Sequence, residues 1–244
     1  MTETLPLTGE RTAPGIWHEA YWFARHEVAY RWVAGLARDL APARVLDAGC
    51  GEGYGAELLR RELGAAVHAV DYDLPTLTHV RRTYPGIPCL QGNLVRQALR
   101  DASYDVVVSM QTVEHLWDQP AFVAECARVV RPGGTVVIST PNTLTFPEGN
   151  CYHTKELTAA ELSELVGARL RVDQVAGVWH GPRLTEWERT HGSCVAAQLS
   201  GPPDTWPPHL AELVGSTSYG DFVIDAGRDL DAALDLVVVA TRTR

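Results

Sequence analysis

Two rhythms of apolar and polar positions follow one another along the chain. Over residues 17–40, Tyr21, Trp22, Val28, Trp32, Val33 and Leu36 fall mostly on one stripe at helical spacing. That predicts an amphipathic helix. Short apolar runs come next, over residues 44–47, 67–70, 88–91, 104–110 and 135–140. These read as strands, and the unbroken run at 104–110 suits burial on both faces of a parallel sheet. Helix-forming stretches at 56–63, 74–82 and 120–130 separate them. Strands alternating with helices predict an α/β fold whose parallel sheet is covered on both faces. Arg131-Pro132-Gly133-Gly134 makes the turn before the fifth strand.

The last hundred residues are less regular. Thr158, with Glu161 three residues on, forms a capping box for a helix over 158–166. Residues 170–178 are strand-like and 182–199 helical. Pro202-Pro203 and Pro207-Pro208 mark a loop around Trp206, and 234–241 read as the closing strand. Residues 1–14 are rich in Thr and Pro and read as loose.

One junction carries the chemistry: Val45-Leu46-Asp47-Ala48-Gly49-Cys50-Gly51-Glu52-Gly53-Tyr54-Gly55. A strand ends in an acid, and glycines at alternate positions lead into a helix. Such a turn is stripped of side chains, so a ligand can approach its backbone. Residues 51–56 fit the dinucleotide fingerprint G-x-G-x-x-A, and Asp71 stands near the place of a ribose-binding acid. Asp47 argues against a dinucleotide. Its carboxylate would repel the pyrophosphate that a helix N-terminus otherwise welcomes. It suits a ligand with an ammonium or sulfonium group.

Composition narrows the field. A chain of 244 residues usually forms one domain, or one with an insertion. The net charge of −9 and the pI of about 5.4 disfavour nucleic acid or an anionic membrane as main partner. Five cysteines with no C-x-x-C pair fit neither a disulfide framework nor a zinc site, and point to reduced thiols in a cytoplasm. No signal peptide and no apolar run of membrane-spanning length is visible.

The segment D-x-G-C-G-x-G after a strand resembles motif I of the class I S-adenosylmethionine methyltransferases. The resemblance is specific over residues 43–142. It extends to Tyr104-Asp105-Val106-Val107-Val108-Ser109, to Glu114-His115-Leu116 and to the turn at 131–134. It implies a Rossmann-like seven-stranded sheet in the order 3-2-1-4-5-7-6, strand 7 antiparallel. It also implies S-adenosylmethionine as cofactor. Asp47, Gly49, Gly51 and Tyr54 would surround its methionine and ribose part, and Asp71, followed by Tyr72, would take the ribose hydroxyls. Asn93 and Leu94 would meet the adenine. Many relatives carry Asp at position 93, but an Asn carbonyl also accepts from the adenine amino group. Gln111 would lie in the crevice outside the strand ends.

Leu7-Thr8-Gly9-Glu10-Arg11-Thr12-Ala13-Pro14 and Tyr21-Trp22-Phe23-Ala24-Arg25-His26-Glu27 resemble actinobacterial sugar O-methyltransferases, nearest to mycobacterial enzymes that methylate precursors of polymethylated polysaccharides. This implies a helical cap, residues 1–40, over the cofactor, with Tyr21, Arg25 and His26 facing its carboxylate. Alternatively the helix only packs on the sheet. The methyltransferase domain would span 41–244, its acceptor-binding elements about 143–233. Asn150-Cys151-Tyr152-His153-Thr154-Lys155-Glu156-Leu157 resembles the N-P-F-H-x-x-E-[FL] segment of glycan and small-molecule methyltransferases.

The acceptor on this reading is a hydroxyl of a mono- or oligosaccharide. A protonated hydroxyl is a poor nucleophile, so a base is wanted, and His suits neutral pH. His153 ranks first, then His115 beside Glu114, then His180. Tyr152, Trp179, His180 and Arg183 would line the acceptor pocket. Glu114, His115 and Asp118 are candidate ligands for Mg2+, although their spacing is no metal signature. A homodimer is compatible with all of this. The rivals are a phenol or quinone-precursor O-methyltransferase, a nicotinamide oxidoreductase and a non-catalytic cofactor-binding module.

Overall fold

The computed structural model describes residues 12–147 and 149–243. The loose start, and the part of the resemblance at Leu7-Thr8-Gly9-Glu10-Arg11, lie outside the described residues. β1 (Arg44–Ala48), β2 (Ala66–Asp71), β3 (Cys89–Gln91), β4 (Tyr104–Met110) and β5 (Val130–Pro141) are mutually parallel. β6 (Arg171–His180), β7 (Phe222–Asp225) and β8 (Asp235–Thr241) complete one sheet in the order β3-β2-β1-β4-β5-β8-β6-β7. β8 runs antiparallel to both β5 and β6. This is a mixed α/β Rossmann-like sheet with eight strands instead of the expected seven. The extra strand, β7, pairs only four residues of β6 at the edge. It is too short for its alternation to be read.

Helices cover both faces. α1 (Ala20–Arg38) follows a short 3-10 turn at Trp17–Glu19 and buries Tyr21, Ala24, Val28 and Val33. α2 (Tyr54–Leu63), α3 (Leu74–Thr83), α4 (Gln119–Val129) and α5 (Ala159–Gly167) match the predicted stretches, and the capping box at Thr158 and Glu161 is formed. Val106, Val107 and Val108 of β4 are all essentially inaccessible, as a central strand requires.

Three local expectations need correction. Residues 182–199 form two helices, α6 (Pro182–His191) and α7 (Cys194–Leu199). Gly192, at φ +83°, breaks the run, and Ser193 caps α7. Pro208, taken as loop, instead opens α8 (Pro208–Ser216), since proline fits a first turn where no N–H is needed. The turn at 131–134 is drawn into β5 as a bulge. Gly133 donates to the Arg242 carbonyl and Arg242 donates to that of Gly134, so the chain's end zips onto it.

Candidate active site

β1 delivers Asp47 to the sheet interior, fully buried. Its carboxylate accepts from the Tyr30 hydroxyl of α1 at 3.2 and 3.3 Å. Burial pushes the Asp47 carboxyl up to about 7, against the pull of that hydrogen bond. The chain then turns through Gly49, Gly51 and Gly53, all at positive φ. At Gly49 a Cβ would strike the Thr112 side chain, whereas Gly51 has open space around it. Gly51 donates its N–H to Asp71 at the end of β2 (3.0 Å), and Asp71 also accepts from the Asp73 N–H (3.0 Å). The acid predicted for the ribose is thereby tied to the loop predicted to hold the same ligand.

Two cavities open at the C-terminal ends of the strands. A small one, about 60 Å³, runs along the loop past Gly49, Cys50, Gly51 and Tyr54. A larger one, about 450 Å³, holds Glu114, His115, Asn150, Tyr152 and His153, with Trp22 and Phe146 as aromatic walls. Thr12, His26 and Gln111 line both. His26 Nδ1 sits 3.3 Å from the Tyr54 hydroxyl. Gln111 adopts φ +51°, costly for a residue with a Cβ, and its N–H donates to the Ser139 carbonyl and hydroxyl. Such strain concentrates at working sites.

Three sequence candidates converge in the larger cavity. Ligand atoms of Glu114, His115 and His153 all lie within 4.8 Å of one another. The two imidazole rings stand edge to face at 4.8 Å. Glu114 is buried, accepts from Thr140 (3.1 Å), and burial pushes its carboxyl up to about 8. Burial thereby favours its neutral form. His115 Nδ1 lies 3.2 Å from the Tyr152 carbonyl, and His153 Nδ1 lies 2.8 Å from Glu156. Asp118 does not join them. It caps α4 through the Ala121 N–H, and His153 stands in its place in the cluster.

Other candidates fall elsewhere. Tyr21 lines neither cavity. It is buried against Phe222, and its hydroxyl bonds His180 (2.7 Å). Arg25 borders the larger cavity, but its guanidinium is committed to Asp235 of β8 (2.5 and 2.6 Å) and to the Leu234 carbonyl. Asn93 accepts from the Val95 N–H (3.1 Å), Leu94 is buried and Tyr72 is 74% exposed. The acceptor group splits: Tyr152 lines the larger cavity, whereas Trp179 and His180 line a separate one of about 940 Å³. Arg183, on α6, is held by Asp221 (2.6 Å). Arg183 lines none of the three cavities.

Tyr30 and Asp235 were not singled out from the sequence, and Asn150 and Glu156 entered it only as letters of the segment resembling N-P-F-H-x-x-E-[FL], with no role of their own. Tyr30 lies on the buried stripe of α1, but its partner across the sheet has no signature in one dimension. Glu156 follows His153 at i+3, a spacing that puts the two side chains within reach.

A glycine loop between the first strand and helix, an acid closing the second strand and cavities at the strand ends define the ligand crevice of a doubly wound α/β enzyme. Residues 46–138 match the family model of a methyltransferase domain. A probable S-adenosylmethionine-dependent methyltransferase of Mycolicibacterium smegmatis is 47% identical over 253 residues, covering 99% of this chain and 97% of the relative. One from Mycobacterium tuberculosis is also 47% identical, over 98% of this chain and 90% of the relative. A ubiquinone biosynthesis O-methyltransferase of Xanthomonas oryzae is 33% identical over 59% of this chain and 69% of its own length. In fold, the TehB-like S-adenosylmethionine-dependent methyltransferase of Corynebacterium glutamicum superposes with a TM-score of 0.53 at 18% identity, covering 90% of this chain and 98% of that one. The chain belongs to the S-adenosylmethionine-dependent methyltransferase family.

The residues present suit that cofactor. The loop is open at Gly51, where a Cβ would meet nothing and a ligand can lie on the backbone. The buried Asp47 carboxylate beneath it favours a cation above.

Proposed function

We propose that this methyltransferase transfers its methyl group to a hydroxyl oxygen of a mono- or oligosaccharide, a mannoside or glucoside being the first to test. The observation that carries the proposal is the lining of the 450 Å³ cavity. Three histidines, Glu114, Asn150 and Gln111 offer hydrogen bonds, while Trp22, Phe146 and Tyr152 offer flat apolar faces. A sugar ring presents hydroxyls at its rim and C–H groups on its faces, and it matches such a wall.

The cofactor, when bound, supplies a methyl carbon made electrophilic by its sulfonium. His153 takes the proton of the acceptor hydroxyl on Nε2. The freed electron pair of the acceptor oxygen would then meet the methyl carbon that the bound cofactor would supply, the cofactor leaving as a thioether. A base of this kind is worth roughly 10²–10⁴-fold in rate. His26, on α1, stands at the border of both cavities, and on this reading the N-terminal segment caps the cofactor. Glu114, His115 and His153 lie close enough together to hold a divalent cation such as Mg2+. That arrangement would replace His153 as base.

A second reading takes a phenolic or quinone-precursor acceptor. The likeness over 59% of the chain to a ubiquinone biosynthesis O-methyltransferase supports it. An acceptor screen with isotopic S-adenosylmethionine over mannosides, glucosides and phenols, with and without chelator, separates these readings. Label transferred to sugars in chelator supports the proposal. Label on phenols alone ends it.

A further inference from the structure

A directed chain of hydrogen bonds runs through the lid of the larger cavity. The Tyr152 N–H donates to Asn150 Oδ1 at 3.0 Å. Only the oxygen of that amide can accept, so its NH2 faces the other way. It faces His153 Nε2, at 3.1 Å. An amide nitrogen only donates, so Nε2 is the accepting nitrogen of the ring. The proton of the neutral imidazole therefore sits on Nδ1, and it is donated to Glu156 Oε1 at 2.8 Å.

From this chain we infer that Glu156 is a positioning residue that acts through His153, fixing its Nδ1–H tautomer and steadying the imidazolium formed on proton transfer. The inference rests on the reading of His153 as base. Asn150 has the complementary task. It holds the place of the acceptor hydroxyl, which must exchange its own O–H for the amide N–H at Nε2. No proton leaves Nδ1 in the step: Nε2 gains the acceptor's proton, and Glu156 then faces a cation instead of a neutral ring. The ring is 6% exposed and Glu156 16%, so water screens their attraction little. Facing the same ring from other elements are His115 at 4.8 Å, Phe146 at 5.1 Å and the Glu114 carboxyl.

The test needs the full chain labelled with 15N-histidine, the His153 signals being identified by their loss in His153→Ala. The wild-type protein, without cofactor, should show His153 as the Nδ1–H tautomer. An Nε2–H tautomer there overturns the inference with no variant of Glu156 needed. Glu156→Gln should mix the tautomers and lower kcat by about 100-fold with affinity for S-adenosylmethionine unchanged. Glu156→Asp should recover part of the rate. Unchanged kcat and nitrogen shifts in Glu156→Gln would refute the positioning role. Turnover surviving in His153→Ala strikes down the base reading instead, and leaves the tautomer result standing.

Discussion

The Tyr30 hydroxyl donates to the Asp47 carboxylate beneath the glycine loop, at 3.2 Å and out of reach of water. This bond favours the charged form of an acid that burial holds at about 7. Tyr30→Phe should raise that value further. Around neutral pH the variant then holds more of the neutral acid than the native protein, and offers less negative charge to a cationic cofactor. Calorimetric titration should show S-adenosylmethionine bound about 3–10-fold more weakly, recovering as pH rises. Equal affinity at every pH would detach the Asp47 charge from cofactor binding.

Glu114 gives a stability signature. Burial pushes its folded carboxyl up to about 8, well above the ordinary carboxylate value of 4.5. The folded state therefore binds a proton that the unfolded chain releases. The stability this contributes is complete below about 4.5 and lost as pH rises through about 8. Glu114→Gln mimics the neutral acid and cannot titrate. Its unfolding midpoint should fall less than the native one between about pH 6 and pH 9. Parallel curves for the two proteins would count against a buried neutral Glu114.

Arg25 and Asp235 test how α1 is attached. Either charge alone would be left buried and uncompensated, so Arg25→Ala or Asp235→Ala should each cost about 3–5 kcal/mol in urea unfolding. Arg25→Met with Asp235→Leu should cost much less than the sum of the single changes. Additive losses would mean that the two side chains act separately.

Two glycines at the junction of the loop and α2 should fail differently. A Cβ at Gly55 would fall 2.1 Å from the Tyr30 ring. Gly55→Ala should therefore destabilise by about 1–3 kcal/mol and disturb the Tyr30–Asp47 bond. Gly51→Ala meets no neighbour and costs about 1 kcal/mol for its φ of +47°, but it fills the open face proposed for the cofactor. Thermal melts with and without S-adenosylmethionine distinguish the two. Gly55→Ala should lower the midpoint of the free protein, and Gly51→Ala should mainly remove the ligand's shift.

Local pattern carried most of the fold. β4 is the apolar run at 104–110, and the box at Thr158 does what its sequence promised. The loop was legible too, and Glu114, His115 and His153 were each found in a short motif, but their meeting was not: the sequence grouped Asp118 with Glu114 and His115 instead. What could not be read depends on distance. Tyr30 meets Asp47, Arg25 meets Asp235, and Tyr21 meets His180 across 17, 210 and 159 positions. Tyr21 and Arg25 have the chemistry of ligand-binding residues, but their partners were invisible in one dimension. β7 and α8 failed for the opposite reason: the strand has only four residues, and a proline pair reads alike as loop or helix start.

The tie between Arg25 and Asp235 also couples two distant stretches of the chain. The cation of α1 is neutralised by a carboxylate 210 residues further along. Without β8 in place Arg25 would lack that counter-charge, and burying it would strand an unpaired ion. Docking of the wall that carries His26 is thereby coupled to the pairing of β8 between β5 and β6.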